Sequence, residues 1–94
     1  MIIKLKDIII DTYTNSSGYV LFTQIDNNFS KEEKIRISFK DTTPISSSFY
    51  NSSIGDLIEK YGYDEVKRKL KFEDLSKSQF QILQRFIENS RLYA

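Results

Sequence analysis

The chain contains no cysteine and no histidine, and it has one proline and three glycines in 94 residues. Without cysteine there is no disulfide framework and no thiolate chemistry, and without either residue there is no imidazole or thiolate metal site. The lack of histidine also removes the one side chain whose ordinary pKa lies near neutrality. Acid–base catalysis would then require a strongly shifted Asp, Glu or Lys. The three glycines make no phosphate-cradling loop, and the acidic residues never fall in calcium-loop spacing. No apolar run approaches membrane-spanning length, and no small-residue cleavage site follows the opening MIIKLKDIII. Fourteen basic side chains stand against thirteen acidic ones, for a net charge of +1, so there is no global pull toward nucleic acid or anionic lipid. The expectation is a cytoplasmic protein that is not an enzyme, needs no cofactor or metal and does not enter a membrane.

What is present fits a folded core. The apolar fraction is 39%, with seven Phe and six Tyr, unlike a disordered chain. A chain this long reads as one domain over residues 1–94, burying roughly 60–65% of its unfolded surface. Ile2 to Ile10 is rich in β-branched residues and reads as one strand or two short ones, with Lys4 and Lys6 facing away from Ile3 and Leu5. DTYTNSSG (Asp11 to Gly18) is a polar loop ending in a serine cap. Leu21, Phe22, Ile25 and Phe29 recur at helical spacing, which predicts a helix over Gly18 to Phe29. KIRISFK (Lys34 to Lys40) alternates as a strand, with Ile35, Ile37 and Phe39 on one face and Arg36, Ser38 and Lys40 on the other.

Tyr50, Ile54, Leu57, Ile58 and Tyr61 then form one apolar stripe of a helix, and Gly62 stands where a helix-ending glycine belongs. Asp64 to Lys69 adds a short helical turn, and Leu70 to Leu75 alternates as a third strand. Ser76 and Gln79 make a capping box, flanked by Leu75 and Phe80 at the two staple positions. The last helix, Ser76 to about Tyr93, is expected to bury Phe80, Leu83, Phe86, Ile87 and Ser90. The order β-α-β-α-β-α implies a mostly parallel or mixed small sheet. Strands that alternate, rather than being apolar throughout, place the helices on one face and leave the other partly open, in a two-layer α/β domain.

The hydroxyls of TTPISSSFYNSSIGDL (Thr42 to Leu57) crowd the junction between the second strand and the next helix. A helix start offers unpaired N–H groups and the positive end of the dipole, so it stabilises an anion. A phosphate on a first-turn serine would bring a charge of about −1.5 to −2 there. The same serines serve equally as caps, each worth on the order of 1 kcal/mol. On the residues alone the cap reading leads. Tyr50 lies on the apolar stripe and packs; Phe49 lies off it and is the expected exposed contact.

With serines at this junction, the chain resembles a STAS domain, the fold of anti-sigma factor antagonists. In that family an Asp-Ser-Ser-Gly motif opens a helix, and its first serine is phosphorylated. Laid on the motif, Ser46 takes the place of the aspartate, Ser47 that of the phosphoacceptor, Ser48 that of the second serine and Phe49 that of the glycine. Aspartate and glycine are therefore both replaced. Ile45 to Phe49 followed by LIEKYG is closer to the STAS-like proteins of unknown function, small bacterial domains with a serine-rich strand–helix junction. The resemblance spans about Ile35 to Asn89. It implies a regulatory protein-interaction domain whose partner is a histidine-kinase-like ATPase that phosphorylates Ser47, and it brings the cap and switch readings level. The implied contact surface is Ser46, Ser47, Ser48, Phe49, Asn51, Ser52 and Gly55.

Two further function classes can be read from the residues. Lys4, Lys6, Arg36, Lys40, Lys69 and Lys71 all fall opposite apolar positions, and a basic open sheet face would suit nucleic-acid phosphates. The aromatics such binders stack on bases are absent from that face, because Phe39 and Phe72 point into the core. Ser47 with Lys40 would imitate a serine–lysine pair only if Lys40 were buried with a depressed pKa, and its strand position exposes it.

Overall fold

The computed structural model describes the backbone of residues 1–93 and the side chains of residues 1–90. Three parallel strands, β1 (Ile2–Lys4), β2 (Ile35–Ser38) and β3 (Leu70–Glu73), form one sheet in the order β1-β2-β3. The register pairs Ile3 with Ile37 and Ile37 with Phe72, and Ile35 with Leu70. These side chains line the covered face, where Ile3, Ile35, Ile37 and Leu70 are buried. The interleaved Ile2, Lys4, Arg36 and Lys71 are exposed. The helices thus lie on one face and the other is open, as alternation predicts for a two-layer sheet.

The first expected strand is cut short. Lys4 pairs with Ser38 at the end of β2, and beyond it the second strand turns away through Asp41, whose φ is +57°. With no ladder left to join, Leu5–Ile8 closes a single helical turn, α1, through Ile9 N–H to Leu5 O at 3.0 Å. Leu5 stays fully buried and Lys6 exposed, so the in-and-out pattern survives the change of element.

Helix α2 runs over Asn15–Asn28, three residues longer at its start than its apolar spacing predicts. Its cap is Thr14, whose hydroxyl accepts from Ser17 N–H at 3.2 Å, in place of the expected serine. Asp11 sets this turn by accepting from the backbone N–H groups of Tyr13 (3.0 Å) and Thr14 (2.9 Å). Ser17 and Gly18, freed from capping, are buried within the helix. Leu21 and Ile25 are fully buried, each contributing roughly 1.5–3 kcal/mol by leaving water.

From Ser47 to Tyr61 the chain is one continuous helix interrupted by a π turn: α3 (Ser47–Tyr50), the π segment Asn51–Gly55, and α4 (Asp56–Tyr61). Gly62 ends it with φ +93°, as predicted for a helix-ending glycine. Helix α5 (Tyr63–Lys69) leads into β3, and α6 (Lys77–Tyr93) closes the described chain. The capping box forms: Gln79 N–H donates to Ser76 Oγ (3.1 Å) and Ser76 N–H to Gln79 Oε1 (2.9 Å). The staple does not. Phe80 is 52% exposed, because the inward position beside it is taken by Gln79, whose amide donates to Thr42 Oγ1 (2.8 Å) and Thr43 O (3.1 Å). Leu83 is buried as expected; Phe86, Ile87 and Ser90 are half-buried.

Candidate functional site

The segment Asp41–Ser46 leaves the sheet and must be held without strand or helix bonds of its own. Thr12, 1% exposed, grips it from one side: its backbone N–H donates to Thr43 Oγ1 (2.9 Å) and its hydroxyl to Thr43 O (2.5 Å). Gln79 holds it from the other through the two bonds already given, and Thr42 Oγ1 donates back to Phe39 O at 2.6 Å. This clamp places the start of α3 just beyond the carboxyl end of the parallel strand β2, the edge at which open α/β sheets bind their ligands.

At that start the serines divide the work. Ser46 is the cap, accepting from Phe49 N–H at 3.2 Å while its hydroxyl donates to Tyr13 O at 2.7 Å. Ser47 occupies the first helical position, exposed and with no capping duty, and Ser48 beside it is also exposed. The cap and switch readings therefore fall on neighbouring residues and do not compete for one. Ser46→Ala is expected to cost about 1–2 kcal/mol, as cap losses do, whereas Ser47→Ala stays within about 0.5 kcal/mol, as exposed changes do. Urea denaturation of the two variants checks this difference.

Ser47 lies on one wall of a groove of about 760 Å³, with Ile45, Ser46 and Asn51. Helix α6 supplies the opposite wall through Ile82, Arg85, Phe86, Asn89 and Ser90. Phe86 anchors that wall, stacked on Tyr50 at 5.7 Å between ring centroids. Burial pushes the Tyr50 phenol well above its ordinary range. Arg85 was not singled out by the sequence; a lone cation on the polar side of an amphipathic helix carries no pattern, and only its position across from Ser47 makes it notable.

The other expected contact residues separate. Asn51 is exposed and lines the groove. Ser52 and Gly55 are half-buried: the Ser52 hydroxyl donates to Ser48 O at 2.9 Å, and a methyl group at Gly55 would stand 3.2 Å from the Phe86 ring. Phe49, expected as an exposed contact, is instead fully buried against Tyr50, at 5.9 Å between ring centroids. The π turn causes this. It takes one more residue than an α turn, which brings Phe49, five residues before Ile54, onto the face already shared by Tyr50, four before it, and all three are buried. Buried Ser53 steadies the turn by donating to Phe49 O at 2.7 Å.

The basic open face is only partly assembled. Lys4, Arg36 and Lys71 share it, but Arg36 forks onto Glu73 at 2.7 and 2.9 Å. Hydrogen bonding from Arg36 holds the Glu73 carboxyl below its ordinary range. Lys6 pairs with Asp41 at 3.4 Å. Lys69 is not on that face at all: it ends α5, lies over the Phe29 ring and donates to Phe29 O and Glu32 O. Lys40 is exposed, so the condition for a serine–lysine pair is not met. Among the described residues no group of three acidic side chains is placed to hold a metal ion, and no helix is long and apolar enough to cross a membrane.

Residues 17–80, more than half of the chain, match the model of a family described as a STAS-like domain of unknown function. The match bears out the resemblance drawn from the serine-rich junction; it begins earlier than expected, inside α2 at residue 17, and ends at residue 80, nine short of the expected Asn89. No curated protein and no solved structure matches the chain.

Proposed function

The chain belongs to the family of STAS-like domains of unknown function, and on that premise we propose that it is a small regulatory domain that works by binding another protein, with Ser47 as its phosphorylation switch. The partner class is a histidine-kinase-like ATPase. Its active site transfers the γ-phosphoryl group of ATP to Ser47 Oγ: the bond from Pγ to the ADP oxygen breaks, the Oγ–P bond forms, and the hydroxyl proton passes to a base of the partner. The chain has no histidine to activate a serine, so this base and the nucleotide come from outside.

The observation that carries this reading is the separation of roles at the junction. Ser46 satisfies the helix start, leaving Ser47 exposed at the rim of a groove. A charge of about −1.5 to −2 placed there changes the contact surface without removing a structural bond. The contact surface is then Ser47, Ser48 and Asn51 with the facing side of α6; Phe49 supports it from beneath.

The test is capture from the native host with wild type, Ser47→Ala and Ser47→Glu as baits, together with mass spectrometry of the purified chain. An ATP-binding protein kinase retained by wild type and Ser47→Ala but lost with Ser47→Glu is the expected result, with phosphate found on Ser47. Equal recovery by all three baits, with position 47 unmodified, overturns the reading.

A further inference from the structure

We propose that Arg85 is the internal receptor for a phosphate on Ser47, so that phosphorylation ties the two walls of the α3–α6 groove together and withdraws the groove from a partner. The inference rests on the reading of Ser47 as a phosphoacceptor and adds where the phosphate goes once Oγ has received it from ATP. An electrostatic block acts only on an incoming partner. An internal tie changes the free domain itself.

Of the three arginines whose side chains the structure describes, two are engaged. Arg36 is forked on Glu73 and Arg68 is paired with Glu65 at 2.7 Å. Arg85 is exposed and has no ion pair among the described residues, and it lines the same groove as Ser47. Its guanidinium presents parallel N–H groups that match phosphate oxygens two at a time, which a lysine ammonium does not. Its backbone is fixed on both sides. Phe86, the next residue, is stacked on Tyr50, and Gln79, nearly two turns earlier, is bonded to the clamp segment.

The apolar side chains of the two walls strengthen the pair. Ile45 is buried, and Ile82 and Phe86 are half-buried beside it. A phosphate and a guanidinium meeting over apolar side chains are screened less than a pair in open solvent. The geometry also selects between neighbouring serines. Ser48 is also exposed but does not line the groove, so a phosphate there has no such receptor.

The experiment installs phosphoserine at position 47, or at 48 as the contrast, during synthesis of the full chain, and it needs no kinase. Phosphorus NMR follows the second ionisation of each phosphate in wild type, Arg85→Gln and Arg85→Lys, alongside thermal melts. Position 47 in wild type is expected to titrate lower than in Arg85→Gln, by on the order of half a pH unit, because a nearby cation favours the dianion. Arg85→Lys should restore only part of the shift, and position 48 should show none. Phosphorylation at 47 should raise Tm by a few degrees in wild type and not in Arg85→Gln. A phosphate at 47 that titrates and melts identically with and without Arg85 overturns the proposal while leaving the functional reading standing. The coupling found in a chain whose Ser47 is never modified in its host supports the receptor and removes the functional reading.

Discussion

Phe49→Ala is expected to lower the stability of the folded chain by about 3–5 kcal/mol, the range for removing a buried phenylalanine from a packed core. For a domain of this length each kcal/mol is worth roughly 4–8 °C in Tm, so the melting point should fall by 12 °C or more. Phe49 is fully buried between the π turn and Tyr50, and its backbone carbonyl accepts from Ser53 Oγ at 2.7 Å. Phe80→Ala is the natural contrast: Phe80 is 52% exposed, and its loss should change stability by no more than about 0.5 kcal/mol. Urea denaturation of the two variants reads both numbers. Because apolar spacing alone assigns Phe49 to the surface and Phe80 to the core, the pair gives opposite answers under the two assignments. A neutral Phe49→Ala would mean that Phe49 is not packed in the core beside Tyr50.

The fold was largely legible in the sequence because its signals are local and repeat. The alternation of Ile35, Ile37 and Phe39 against Arg36 and Lys40 marks β2, and an open second face follows from it. The Ser76–Gln79 box and Gly62 mark a helix start and a helix end by backbone chemistry that needs no tertiary information. What was missed depends on neighbours distant in sequence. Leu5 leaves the strand where the ladder to β2 ends at the Lys4–Ser38 pair, a limit set by residues more than thirty positions away. Thr14 outcompetes Ser16 and Ser17 as a cap because Asp11 organises the turn before it, and because Gly18 lies inside the helix against Phe49 and Ser52. Phe80 is displaced from the core by Gln79, whose amide is called on by Thr42 and Thr43.

The candidate site divides in the same way. That Ser46 to Ser48 start a helix is written in the residues, but which serine caps and which stays free is decided by Tyr13 O and Phe49 N–H. The groove wall from α6 has no sequence signature, since Arg85 comes to line the same groove as Ser47 only after the chain has passed through β3. Charge placement follows suit. Six cations fall opposite apolar positions in the sequence, yet one of them, Lys69, turns back over Phe29, and Arg36 is neutralised by Glu73.

Gly18→Ala should be destabilising by about 2 kcal/mol or more, lowering Tm by roughly 8–16 °C, although helix propensity alone predicts a gain of close to 1 kcal/mol. The reason is how closely α2 approaches the helix that carries the site. A methyl group at Gly18 would stand 2.7 Å from Phe49 O and nearer still to Ser52 Oγ. A serine hydroxyl can rotate away; a backbone carbonyl inside a helix cannot. Phe49 O also accepts from the Ser53 hydroxyl at 2.7 Å, so moving it disturbs the π turn and the burial of Phe49 together. The double variant Gly18→Ala with Ser52→Ala relieves the hydroxyl contact alone and should recover less than half of the loss. Gly55→Ala meets only the Phe86 ring, at 3.2 Å, a side chain able to give by a few tenths of an ångström, and its effect should be smaller than that of Gly18→Ala. Calorimetric melts of the three variants rank these contacts. A Gly18→Ala protein as stable as wild type would mean that α2 and the π turn are not packed this closely, and that the clamp at the start of α3 holds Ser47 in place without support from α2.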